Sequence, residues 1–161
     1  MNIESLNAQL LENQELTPDT DADQYLSFEM AGEEYGIDIL TVQEIRGWEQ
    51  TTSIPNSPDY IKGVMNLRGT IVPVLDLRSK FGLPSVAYTP VTVVIILTIE
   101  QDNTNKTIGI VVDAVSDVYA IDNIQLKVPP SLEQNKNRQY IKGLAQVDES
   151  TLILLNLNQV L

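Results

Sequence analysis

The chain has 161 residues, 43% of them apolar, which is enough for one domain or for two small subdomains that share a core. It holds no cysteine and no histidine, so disulfides, thiolate nucleophiles, zinc sites of the usual ligand types and histidine general bases are excluded. A net charge of −12 argues against nucleic acid, because phosphate binding depends on clustered Lys and Arg.

Residues 1–24 hold six carboxylates (Glu4, Glu12, Glu15, Asp19, Asp21, Asp23) and no Lys or Arg, and read as an acidic, flexible tail. Ile3, Leu6, Leu10 and Leu11 have helical spacing, but Gln9, Asn13 and Gln14 dilute it and Pro18 breaks any continuation. A frayed, solvated helix at most is expected, with docking on a partner as the alternative. The N-terminus lacks a secretory pattern, and the longest wholly apolar run, Val93–Leu97, falls far short of the roughly 20 residues of a membrane helix. A cytoplasmic protein without membrane insertion is the expectation.

From Tyr25 the pattern changes to strand-length runs: Tyr25–Met30, Tyr35–Leu40, Val42–Gly47, Val64–Leu67 and Ile71–Leu77, with a hairpin turn at Ala31-Gly32-Glu33-Glu34. Five runs suffice for one small barrel. Pro73 cannot donate a ladder hydrogen bond, which places it at an edge or a bulge. A short helical turn at Leu77–Lys80 leads into Phe81-Gly82-Leu83-Pro84-Ser85, the expected junction. Five further runs come after it at Val91–Ile99, Thr107–Val112, Val115–Tyr119, Gly143–Val147 and Leu152–Leu155, with a long polar turn at Gln101–Lys106 and the start of a helix at Asn156–Leu161.

The two sets are copies. Tyr60-Ile61-Lys62-Gly63 recurs as Tyr140-Ile141-Lys142-Gly143, and Leu77 as Leu157. Upstream, Gly36-Ile37 with Val42, Glu44 and Ile45 aligns to Gly109-Ile110 with Val115, Asp117 and Val118. The longer segment before Tyr140 absorbs the difference in offset. Two similar β-units, each ending in a hairpin, are predicted to pack as a pair of barrels.

No catalytic constellation emerges. Asp113 and Asp117 sit four apart on what reads as one solvated face, with no base, metal partner or nucleophile beside them. The eight glycines form neither a dinucleotide fingerprint nor a phosphate loop. Arg68 stands out, because the equivalent turn in the second unit carries Asp148-Glu149, so the turn itself does not require arginine. Its planar donor fork suits a partner's carboxylates or carbonyls; the alternative is a solvated turn residue. Regular alternation would put Val42, Glu44 and Arg46 on one face, a patch of interface character or else a surface strand with one exposed valine. For Trp48, core packing is favoured over service as an interface anchor.

Glu34-Tyr35-Gly36-Ile37-Asp38-Ile39, Val42-Gln43-Glu44-Ile45-Arg46-Gly47, Ile61-Lys62-Gly63, Asn66-Leu67-Arg68-Gly69, Val72-Pro73-Val74 with Asp76-Leu77-Arg78, and Gly109-Ile110-Val111-Val112-Asp113 with Val115-Ser116-Asp117-Val118 resemble the CheW chemotaxis coupling proteins, the CheW-like domain family. The resemblance runs from about Tyr25 to Leu155. It implies an all-β fold of two intertwined five-stranded SH3-like barrels sharing a core, the first over about 28–85 and the second over about 25–27 plus 86–155, within a domain of 25–161. It also implies a non-enzymatic, cofactor-free adaptor that couples the cytoplasmic tips of chemoreceptors to the CheA histidine kinase, through the kinase's own CheW-like regulatory domain, in signalling arrays at the membrane. The positions matching Val42, Glu44, Gly63, Arg68, Val115 and Val118 are implied in partner contacts, with the receptor in the groove between barrels. The alternatives are a CheW-like domain of a larger signalling protein, disfavoured by the Met start and the close after the second unit, and a small-barrel module for another partner. The acidic tail falls outside the family pattern.

Overall fold

The computed structural model describes residues 3–15, 22–122, 126–128 and 137–161. Among the described residues ten strands and three α-helices follow in order: α1 (Ile3–Glu15), β1 (Ala22–Met30), β2 (Glu33–Asp38), β3 (Val42–Gly47), β4 (Ile61–Leu67), β5 (Thr70–Asp76), α2 (Leu77–Lys80), β6 (Val93–Gln101), β7 (Thr104–Val112), β8 (Ala114–Asp122), β9 (Ile141–Val147), β10 (Ser150–Leu155) and α3 (Leu157–Val160). They form two five-stranded sheets, ordered β8-β1-β2-β10-β9 and β3-β6-β7-β5-β4.

The two orders are the same arrangement read from the two halves of the chain, so the internal repeat is a structural pseudo-twofold. Neither half closes on itself. Hairpin β1–β2 is inserted among β8, β9 and β10, while β6–β7 is inserted among β3, β4 and β5. Five consecutive runs therefore do not make a barrel, and the strand partition differs from a division near residue 85. The inserted hairpins join their hosts through parallel pairs, β2 with β10 and β5 with β7; the other neighbours are antiparallel. At each parallel junction stands a repeat-equivalent glycine. A Cβ on Gly36 would lie 2.7 Å from Leu154 Cδ2, and one on Gly109 would lie 2.9 Å from Val94 Cγ1.

Four two-residue turns connect the hairpins. Ala31, Gly32, Arg68, Gly69, Asp102, Asn103 and Asp148 all take positive φ, between 50° and 88°, the sense that matches the right-handed twist of the flanking strands. The turn expected over Gln101–Lys106 is thus only Asp102-Asn103, because the polar run before Thr107 continues the ladder instead of leaving it. Pro73 is accommodated because β5 meets β7 only from Val74 to Asp76, leaving Thr70–Pro73 with β4 as sole neighbour.

One apolar core, including Leu26, Phe28 and Ile37 from the first sheet and Ile95, Leu97 and Ile110 from the second, fuses the barrels. Satellite clusters fill each barrel: Val72, Val74, Val94 and Ile96 in one, and Tyr25, Ile121, Leu152 and Leu154 in the other.

The N-terminal segment departs from the expected tail. Leu6 and Leu10 of α1 are buried in the shared core, with Ile3 packed at its margin. Between them Asn7 donates its amide to the Ile45 carbonyl (3.3 Å) and accepts the Ile45 N–H (3.1 Å), satisfying the outer edge of β3. Asn7 lies four residues after Ile3 and three before Leu10, so one face of α1 carries both the apolar anchors and the edge cap. The break expected at Pro18 and the lengthened segment at 129–136 lie outside the described residues. No helix among the described residues is long and apolar enough to cross a membrane.

Candidate partner-binding site

Strands β3 and β8, repeat equivalents of one another, form an edge of their respective sheets. On β3 the register slips between Val42 and Glu44. This bulge overturns the alternation read from the sequence. Val42 and Ile45 both face the core, each 1% exposed, while Glu44 and Arg46 lie on the half-exposed outer side. Val42 is therefore the floor of this region and not a surface valine.

The Glu44 carboxylate accepts a hydrogen bond from Arg68 Nη2 at 2.5 Å and lies 3.7 Å from Arg46 Nη1, while Arg46 Nη2 lies 3.7 Å from Glu49. Arg68 belongs to the β4–β5 turn, at the opposite edge of the same sheet from Glu44. The pair can form only because the sheet curls until its edges meet. The Arg68 side chain remains 66% exposed, so the contact contributes about 1 kcal/mol or less and leaves the guanidinium open to a second acceptor. Ile71, two residues past the turn, is also exposed.

Gly63 lies in a bulge of β4 at φ +132°, and a Cβ there would fall 2.1 Å from the Thr52 carbonyl oxygen. Thr52 and Val64 exchange two backbone hydrogen bonds, of 2.9 and 2.8 Å. Gly63 thus seats the hairpin that carries Arg68 and presents no side chain of its own.

On β8, Val115 and Val118 are half-buried against the shared core. The Val118 N–H is capped locally by Asp117 Oδ1 at 2.7 Å, where its counterpart Ile45 is capped by α1. Val115, Ala114, Val93, Pro90 and the exposed Val91 line an open apolar cleft that Ile3 and Glu4 of α1 also border. Asp113 is not a solvated partner of Asp117: its carboxylate takes a hydrogen bond from Arg78 (2.8 Å) and from the Ala31 N–H (3.0 Å), tying α2 to the β1–β2 turn. Trp48 packs as expected, against Tyr88 (4.3 Å between ring centroids) and the Val72–Val94 cluster. The Tyr88 hydroxyl donates to Asp76 at 2.6 Å, and its burial, with the adjacent Asp76 carboxylate, pushes its pKa well up from 10.0.

The structure thus brings Glu44 and Arg68 together, places Val115 and Val118 on the other edge strand, and sets Val42 and Gly63 beneath the surface. Sequence reasoning missed Asn7, and it noted the helical spacing of Leu6 and Leu10 but favoured a solvated helix over a docked one.

Comparison with known proteins shows the family. The profile of the CheW-like domain matches residues 24–161. The chain belongs to the CheW-like domain family. It is 46% identical over 146 residues to the chemotaxis protein CheW of Klebsiella aerogenes, covering 91% of this chain and 86% of that one. It is 31% identical to the CheW of Bacillus subtilis over 134 residues, covering 83% of each. Among solved structures it resembles the scaffolding protein TtCheW of Thermoanaerobacter tengcongensis, with a TM-score of 0.73 and 32% identity, covering 84% of this chain and 89% of the other. A partial match, 28% identical over 130 residues, is the chemotaxis protein CheV3 of Helicobacter pylori, of which the CheW-like region covers 40%.

Proposed function

We propose that this CheW-like protein is a non-enzymatic adaptor that holds the CheA kinase, through its CheW-like regulatory domain, against the cytoplasmic tips of chemoreceptors, and is thereby recruited to arrays at the membrane. The observation that carries the reading is the family match over residues 24–161, on a rigid twin barrel that exposes a charged edge and an apolar edge. Arg68 and Glu44 supply polar recognition at the closed seam of one barrel. Val115 and Val118 supply apolar contact beside the groove. Val42 and Gly63 act from beneath, by shaping β3 and seating the β4–β5 hairpin. Coupling is then a matter of geometry: each partner binds a fixed surface, and a receptor change biases the kinase through differential contacts.

The test is calorimetric titration with the kinase's regulatory domain and, separately, with a receptor-tip coiled coil, each repeated with Arg68→Ala. Saturable binding of both, with one selectively weakened by the substitution, supports the proposal. A folded protein that binds neither overturns it. A second reading, a CheW-like region acting inside a longer chain, is favoured only by the partial match to CheV3.

A further inference from the structure

Helix α1 occupies ground the adaptor needs. It runs along β3, its buried leucines sit in the same cluster as Val42 and Ile45, and its first turn borders the cleft lined by Val93, Ala114 and Val115. The seat is that of a helix: an apolar floor, with one strand N–H and one carbonyl, both of Ile45, read by a single amide side chain. The pseudo-twofold counterpart of that capped edge, at Val118, carries no such helix among the described residues.

Three features set α1 apart from the body it covers. It lies wholly before residue 24, outside the matched family domain. At 13 residues and without a basic residue in its last turn, it is too short to persist as a helix once released. Its described anchors include Leu6, Leu10, the margin contact of Ile3, and the Asn7 amide.

Resting on the adaptor reading for the identity of the partner, we infer that α1 is a removable cover over the β3 edge and the adjoining cleft lined by Val93, Ala114 and Val115, and that it yields to an amphipathic helix of the receptor tip. The incoming helix presents two large apolar residues four apart, in place of Leu6 and Leu10, and takes over the Ile45 edge. Binding is then a competition, and the apparent affinity is the intrinsic one reduced by the fraction of time the groove is open.

The experiment uses the full chain. Asn7→Ala removes the edge cap from α1 without altering the groove, and loosening α1 in this way tightens receptor-tip binding by roughly five- to thirty-fold while leaving the kinase domain's affinity unchanged. Hydrogen–deuterium exchange supplies the second reading. In the free protein the α1 amides and the Ile45 N–H exchange well ahead of those of β6 and β7, and saturation with the receptor tip strips protection from α1 while adding it to β3 and β8. Receptor binding that is unchanged or weakened by Asn7→Ala, or an α1 that gains protection in the complex, overturns the cover and leaves the adaptor reading standing. A receptor tip that binds neither protein overturns the adaptor reading and the named partner together. Exchange of α1 only through global unfolding overturns removability whatever binds.

Discussion

Substitution of Gly63 by alanine tests how the β4–β5 hairpin is seated. The new methyl group would lie 2.1 Å from the Thr52 carbonyl oxygen and 2.7 Å from its carbon, both backbone atoms that no side-chain rotation can move. The residue would also have to hold φ +132°, which costs a non-glycine residue about 1–3 kcal/mol. Relieving the overlap means parting Thr52 from Val64, with loss of two backbone hydrogen bonds worth about 0.5–1.5 kcal/mol each. The expected destabilisation is about 2–5 kcal/mol, a large share of the stability of an ordinary domain. The repeat supplies its own control. Gly143 is the equivalent residue of β9, but a Cβ there meets nothing closer than Leu126 Cβ at 3.4 Å, so Gly143→Ala should cost less than about 1 kcal/mol. Urea unfolding followed by the fluorescence of Trp48, the sole tryptophan, measures both. Equal midpoints for the two variants, or a Gly63→Ala protein as stable as the parent, would refute the close-approach argument.

Arg68→Ala should shift stability by less than about 1 kcal/mol, because its ion pair with Glu44 is largely solvated, and urea midpoints check this independently of partner binding. Leu6→Ala removes a fully buried anchor of α1 and should release the helix, seen as faster exchange of the Ile45 N–H with little change at β6 and β7. Tyr88→Phe withdraws a hydrogen bond from the buried Asp76 carboxylate and should cost about 1–3 kcal/mol at neutral pH by thermal or urea unfolding. Tyr35, Tyr88 and Tyr119 are all held above 10.0, chiefly by burial, so below pH 10 they are neutral in both states and their contribution is constant. Above it the unfolded chain ionises first and stability falls as pH rises; urea titrations at about pH 9 and about pH 11 should show the drop, and Tyr88→Phe should reduce it.

The architecture was largely legible because the repeat is written in residues with backbone duties. Gly36 and Gly109 mark the two parallel junctions, and Tyr60 and Tyr140 accept equivalent hydrogen bonds from Asp76 and Asn156. Which hairpin joins which sheet was not legible, since strand periodicity records the faces of a strand and not its neighbours. The bulge at Gln43 escaped for a related reason: one inserted residue leaves the composition of β3 unchanged but turns Val42 inward. Arg68 was singled out by contrast with Asp148-Glu149, whereas its pairing with Glu44 depends on barrel curvature. The burial of α1 was misread because its acidic composition outweighed a three-residue apolar stripe whose meaning depended on a distant strand edge.

The exchange of hairpins between sheets also governs the order in which the protein can be made. Hairpin β1–β2 is synthesised well before β10, the strand that flanks β2 on its other side. The nascent chain must therefore carry an unmatched strand edge until β10 has been made, a long-range closure that slows folding and leaves the intermediate prone to association. A stop codon just ahead of β10 would leave the β1–β2 hairpin without its parallel neighbour as well as remove β10 itself.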